Sequence, residues 1–174
     1  MPLFTSAPEH ELYLELYEKY SSKFGWRTYA WALIWNHVHF LIHLSDGGLS
    51  EGMRAINHGF ARRINVAYGR TGKGHLVRHG FFANQVTSDP YLMGLSRYID
   101  RNPVEAGLVE TPEDWRWSGC AATLGLHHPR RFHDVAGLLE HFGTNPVCAR
   151  DAYRALLFES VPGKGYESVT DYAA

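Results

Sequence analysis

Cysteine is scarce in this chain. Cys120 and Cys148 are the only two among 174 residues, and they form no CxxC pair. That usage excludes a disulfide framework and a cysteine-built zinc cluster. Long apolar runs are missing as well. No stretch approaches the ~20 residues needed to cross a bilayer, and the start shows no basic segment followed by an apolar one. The expectation is a reduced, cytoplasmic protein with no membrane partner. Another absence is local: from Gly52 through Ser88 there is no Asp or Glu.

What fills that window is positive. Arg54, Arg62, Arg63, Arg70, Lys73 and Arg78 all fall within it, accompanied by His58, His75 and His79. The net charge of the whole chain is only −1, which by itself argues against a nucleic-acid partner. A concentrated positive field is nevertheless the footprint expected of a polyanion-binding surface. The plain alternative is a solvated basic face balanced by acidic helices elsewhere.

The hydrophobic pattern gives an α+β chain. Leu12, Leu16, Tyr20 and Phe24 recur at i+4, with Pro8 at the start and Gly25 at the end, and predict a helix over 8–24. "RTYAWALIWNHVHFLIHL" predicts a hairpin with strands near 27–34 and 37–44. Ser50 is a suitable N-cap for a helix over 51–67, whose core stripe is Met53, Ile56, Phe60 and Ile64. Arg54, His58, Arg62 and Asn65 then face outward beside that stripe. Residues 69–80 are expected to form a glycine-rich cationic loop, and "FFANQV" (81–86) predicts a third strand. Asp89, before Pro90, is expected to cap a helix that runs to about Asn102, where Pro103 makes further helix unfavourable. "TPEDWRWSG" is a compact turn. Beyond Gly125 a polar linker leads to short helices near 134–142 and 148–158 and a frayed tail. The order predicts an antiparallel sheet with flanking helices, with a first unit over 1–125 and a short helical extension over 126–174.

Two elements carry residues capable of chemistry. His37 and His39 alternate along a strand, so they share one face, with Val38 and Phe40 opposite. Two imidazoles on the wet side of a sheet are commonly just solvated, and a metal site needs a third ligand. The third helix offers one. Leu92, Leu95 and Ile99 form its core stripe, while Tyr91, Tyr98 and Asn102 lie within ~40° of one another at the border of that stripe. An amide oxygen beside two imidazoles makes a mixed N/O site with open positions, which suits Mg²⁺ or Mn²⁺. A nearby tyrosine is a potential nucleophile. Spacing alone does not choose between Tyr98 and Tyr91. Nor does it separate these roles from a half-buried helix tyrosine and a simple helix stop at Asn102-Pro103. A His-triad nucleotide hydrolase is a poor fit, because the position that should carry the third histidine is Leu41.

"NHVHFLI", "GHLVRHGFF", "YLMGLSRYIDRNPVEAGLV" and "PEDWRWS" together resemble, in order and spacing, the single-tyrosine HUH transposases, in particular the REP-associated tyrosine transposases. The resemblance runs from about Leu3 to Gly125. It implies an RRM-like (ferredoxin-like) antiparallel sheet bearing the histidine pair and a facing helix bearing the tyrosine. It also implies divalent-metal-dependent cleavage and rejoining of single-stranded, hairpin-associated DNA through a 5′-phosphotyrosine. Carried onto this sequence, His37 and His39 match the histidine pair, Tyr98 the nucleophile and Asn102 the third ligand. Arg54, Arg62, Arg63, Lys73 and Arg78 would lie along the DNA. The resemblance leaves open whether the chain acts alone or as a homodimer.

Two departures accompany the match. Family members carry a strand before the first helix, and "MPLFTSAPEHELYL" begins where that strand would have ended, so the sheet is expected to lack its first strand. The turn before the histidines is Ile34-Trp35-Asn36 in place of Met-Pro-Asn. A hairpin-binding relative that no longer cuts DNA is the competing expectation.

Overall fold

The computed structural model describes residues 2–69 and 81–159. In chain order the elements are α1 (Ala7–Lys23), β1 (Arg27–Leu33), β2 (Val38–His43), α2 (Leu49–Ala67) and α3 (Asp89–Glu105). A 3₁₀ turn (Pro112–Asp114) follows, then α4 (Cys120–Thr123), α5 (Val135–Glu140) and α6 (Pro146–Phe158). The fold is α+β, with a two-stranded antiparallel sheet between helical layers.

Strand register assigns the faces. Trp31 pairs with Phe40 and Leu33 with Val38, and these side chains meet α1 and α2. Tyr13, Tyr17, Ile56 and Phe60 complete that layer, all essentially fully buried. Tyr17 stacks on Phe40 with ring centroids 3.8 Å apart. On the other face Ala30 pairs with Leu41 and Ala32 with His39. The two alanines are small enough for Leu92, Leu95 and Ile99 of α3 to pack directly on the sheet, joined by residues of α4, α5 and α6. Because side chains alternate along a strand, this register commits the His39 side to the α3 layer.

The two sheet edges differ. The outer edge of β1 is covered by later chain: Leu33 N–H donates to Trp117 O at 2.8 Å and Gly119 N–H to Trp31 O at 2.8 Å. Asp134 N–H likewise donates to Thr28 O at 2.8 Å. Gly119 is required there, since a Cβ would lie 2.9 Å from Trp31 Cδ1 and 2.8 Å from His133 Cε1. Beside the outer edge of β2 there is no strand among the described residues, and a groove of about 930 Å³ separates it from residues 81–89.

That groove explains one correction. The strand expected over 81–86 is irregular chain. "FFANQV" has strand composition, but strands persist through ladder hydrogen bonds, and the groove removes its neighbour. Two further differences concern helix ends. α2 begins at Leu49 with Gly48 (φ +74°) at the N-cap, so Ser50 lies inside the first turn. α3 continues through Pro103 to Glu105. A proline in a last turn forfeits one N–H bond, and the chain beyond still closes: Ala106 N–H reaches Asn102 O and Leu108 N–H reaches Pro103 O, each at 2.9 Å. Gly107 (φ +68°) supplies the left-handed residue that ends the helix. Ser88, one residue earlier than expected, caps α3 through Oγ, which accepts from Tyr91 N–H.

Candidate active site

The residues singled out on β2 and α3 come together. The imidazoles of His37 and His39 lie 4.5 Å apart between centroids, edge to face at 88°. The ring of Tyr98 stands over His39, 5.6 Å between centroids and at 79°. Asn102, one turn further along α3, donates from Nδ2 to the Tyr98 hydroxyl at 3.4 Å. Strand alternation and the i, i+4 helix spacing thus place four side chains on one seam between sheet and helix. Tyr91 belongs to the first turn of α3, where its amide is occupied by the Ser88 cap.

His39 Nε2 and Asn102 Oδ1 are both shielded from solvent and lack any hydrogen-bond partner. An unsatisfied buried polar atom costs roughly 1–3 kcal/mol, a cost that a bound partner would remove. Burial, and next the adjacent His37, push the His39 imidazole down to about 3, so it is neutral at ordinary pH. His37 Nδ1–H donates to Asn36 Oδ1 at 2.7 Å, which in the neutral ring leaves the lone pair on Nε2. An outer hydrogen bond of this kind fixes the tautomer and orientation of a metal-binding histidine. The role of Asn36 escaped the sequence reading, although its place beside His37 was a signal.

The donor set is two imidazoles and one amide oxygen. Among the described residues no group of three or more His, Cys, Asp or Glu is gathered anywhere, so a third ligand beside His37 and His39 would have to be of another type, as the Asn102 amide is. Such a set fits a divalent cation that keeps open positions for water or phosphate oxygen. It does not fit a closed structural zinc site.

The basic residues are more distant. Arg54, Arg62 and Arg63 are exposed on α2, across the sheet from α3, and are not part of the seam. Lys73 and Arg78 lie outside the described residues. Of the aromatic residues near the histidines, Trp35 is 46% exposed at the β1–β2 turn, while Phe81 packs partly into the core beside α1 and α2. Exposed Phe82 lines the groove with His37, His39 and Leu95.

Comparison with known proteins agrees with this layout. A solved structure of a REP-associated tyrosine transposase bound to a REP hairpin matches with a TM-score of 0.55 and 20% identity, covering 74% of this chain and 78% of that one. At that identity the likeness concerns the fold. No curated protein matches. No helix among the described residues is long and apolar enough to cross a membrane. The family model described as "Transposase IS200 like" matches residues 2–102, which include β2 and all of α3 through Asn102. That stretch is more than half of the sequence, and the chain belongs to the IS200-like transposase family.

Proposed function

We propose that this protein cleaves and rejoins single-stranded DNA beside hairpins, using Tyr98 as nucleophile. The supporting observation is the seam itself: Tyr98 over His39, with His39 Nε2 and Asn102 Oδ1 shielded and unpartnered beside it. Hairpin DNA as the partner is suggested by the similar solved structure, which holds a REP hairpin.

In the first step Tyr98 Oη attacks the scissile phosphorus. The Oη–P bond forms, the P–O3′ bond breaks, and the proton lost by the phenol ends on the departing 3′ oxygen. The product is a 5′-phosphotyrosine and a free 3′-OH. Attack by a 3′-OH on that phosphotyrosine runs the step in reverse and returns the proton to Tyr98, so rejoining needs no external energy. A phenol with an ordinary pKa near 10 is mostly protonated at neutral pH, so the neighbourhood has to assist. The Asn102 amide orients the Tyr98 hydroxyl, and the His39 ring confines the phenol from one side. His37, His39 and Asn102 would hold a Mg²⁺ or Mn²⁺ ion, which would supply Lewis-acid polarisation of the phosphate and offset transition-state charge. Arg54, Arg62, Arg63, Lys73 and Arg78 are assigned to the DNA backbone, a salt-sensitive contribution. Exposed Trp35 is suited to stack an unpaired base.

The test is a denaturing gel after incubation with hairpin-bearing single strands and Mn²⁺ or Mg²⁺. A covalent adduct is expected from the unmodified protein and from Tyr91→Phe, and its loss from Tyr98→Phe and His39→Ala. A second reading, a hairpin-binding protein that does not cut, draws support from the thin sheet beside the groove. Hairpin binding without any adduct under these conditions would favour it over strand transfer.

A further inference from the structure

We propose that α6 positions the tyrosine helix. Arg97, Asp100 and Arg101 of α3 hold α6 and thereby set where Tyr98 stands relative to His39. The inference rests on the transposase reading above for its catalytic meaning, though not for its geometry. Arg97 Nε donates to Leu156 O at 2.8 Å and its Nη2 to Glu159 O at 2.7 Å. Arg101 Nη1 donates to Leu157 O at 3.2 Å. Between them on the helix, Asp100 accepts a hydrogen bond from the hydroxyl of Tyr153, and both side chains are fully buried.

The pairing follows from helix chemistry. The last carbonyls of a helix lack intrahelical donors and carry partial negative charge. Two guanidinium groups therefore find acceptors at the end of α6, and charge-assisted bonds of this type are the stronger ones. Arg97, Asp100 and Arg101 occupy i, i+3 and i+4, so they share a face of α3 beside the one that carries Tyr98 and Asn102, with Arg101 ~60° around the helix from Tyr98. The two sides of one helix turn do different work.

Directionality is what α6 adds. Leu92, Leu95 and Ile99 hold α3 on Ala30, Ala32 and Leu41 by apolar contact, which tolerates rolling. A roll of ~10° moves side-chain tips ~6 Å from the axis by about 1 Å. Misplacement on that scale costs a positioned reaction ~10²-fold. Hydrogen bonds to three groups of α6 and to the carbonyl of Glu159 just after it oppose such a roll. α6 lies beyond residues 2–102, the stretch matched by the family model.

Arg97, Asp100, Arg101 and Tyr153 are positioning residues, and the test separates position from stability. The variants are Arg97→Ala/Arg101→Ala, the conservative Arg97→Lys/Arg101→Lys, and Tyr153→Phe, with Tyr98→Ala as reference. One readout needs neither metal nor DNA: the NMR resonances of the His39 imidazole, which feel the Tyr98 ring. In the alanine pair and in Tyr153→Phe these should move from the wild-type position toward that of Tyr98→Ala, and the lysine pair should return them most of the way. The second readout is the single-turnover rate of adduct formation with a hairpin strand and Mn²⁺. It should fall ~10–100-fold in the alanine pair while hairpin Kd stays within about twofold. His39 resonances at the wild-type position in folded variants would overturn the proposal. A rate and a hairpin affinity that fall together with melting temperature, without lysine recovery, would also overturn it. If the wild type forms no adduct, the strand-transfer reading fails, and the His39 resonances still decide the role of α6.

Discussion

At the scale of single residues, the site consists of groups held in defined states by their neighbours. Asn36 fixes the His37 ring through a 2.7 Å bond. Outer partners of metal-binding histidines are typically worth about 10–100-fold in metal affinity. Asn36→Ala should therefore raise the Mn²⁺ concentration for half-maximal adduct formation by about 10-fold with little change in melting temperature. An unchanged Mn²⁺ requirement would remove Asn36 from the site. A different histidine governs acid stability. His133, packed beside β1 and 5% exposed, is pushed down to about 4, mainly by burial. Its folded-state pKa lies below the unfolded value near 6.5, so the unfolded chain takes up the proton first. The stability linked to His133 is complete above pH 6.5 and is lost as pH falls through about 4. The shift corresponds to about 3 kcal/mol at most. Urea unfolding across this window should show stability dropping toward acid, with a shallower slope in His133→Gln. Equal slopes in the two proteins would contradict this assignment.

At the scale of elements, what the sequence revealed and what it concealed divide along local and non-local lines. The periodicities of α1, β1, β2, α2 and α3 are carried by adjacent residues, and the helix and strand faces follow from them. The faces that carry His37 and His39 on β2, and Tyr98 and Asn102 on α3, were legible for the same reason, through period 2 and period 3.6; that the two faces meet was implied only by the family resemblance. Which partner meets which face is non-local. "FFANQV" reads as a strand because composition records preference, whereas pairing depends on what lies beside it. Pro103 reads as a stop because its missing N–H is visible, while the closure of the turn through Leu108 and Gly107 lies downstream. Arg97, Asp100 and Arg101 carry no local signal of their role, since their hydrogen-bond partners lie more than 50 positions away in the chain. Gly119 shows how tightly such non-local contacts are fitted. Gly119→Val should detach the 117–119 segment from β1 and cost on the order of 2 kcal/mol or more by urea unfolding. A loss below ~0.5 kcal/mol would mean that the edge cover is dispensable.

At the scale of the whole molecule, two helical layers on one thin sheet separate tasks. The α1–α2 layer is an apolar core whose exposed side carries Arg54, Arg62 and Arg63. Phe60, fully buried at its centre, should cost about 3–5 kcal/mol on replacement by alanine. Because Phe60 lies across the sheet from the seam, Phe60→Ala protein that remains folded should still form adduct. Loss of adduct in folded Phe60→Ala protein would show that the layers are coupled. The opposite layer carries α3 and the elements behind it, and there small displacements matter more than total burial.

The most direct measurement is to map the DNA-bearing peptide of the covalent adduct after trypsin digestion and mass spectrometry. Cleavage after Arg97 and Arg101 isolates Tyr98 on the four-residue peptide Tyr98–Arg101, whereas Tyr91 falls on the preceding peptide. With Tyr98 as nucleophile, the nucleotide mass lies on Tyr98–Arg101 and disappears in Tyr98→Phe. A nucleotide on the peptide containing Tyr91, or an adduct that survives Tyr98→Phe, would contradict the assignment of the active site.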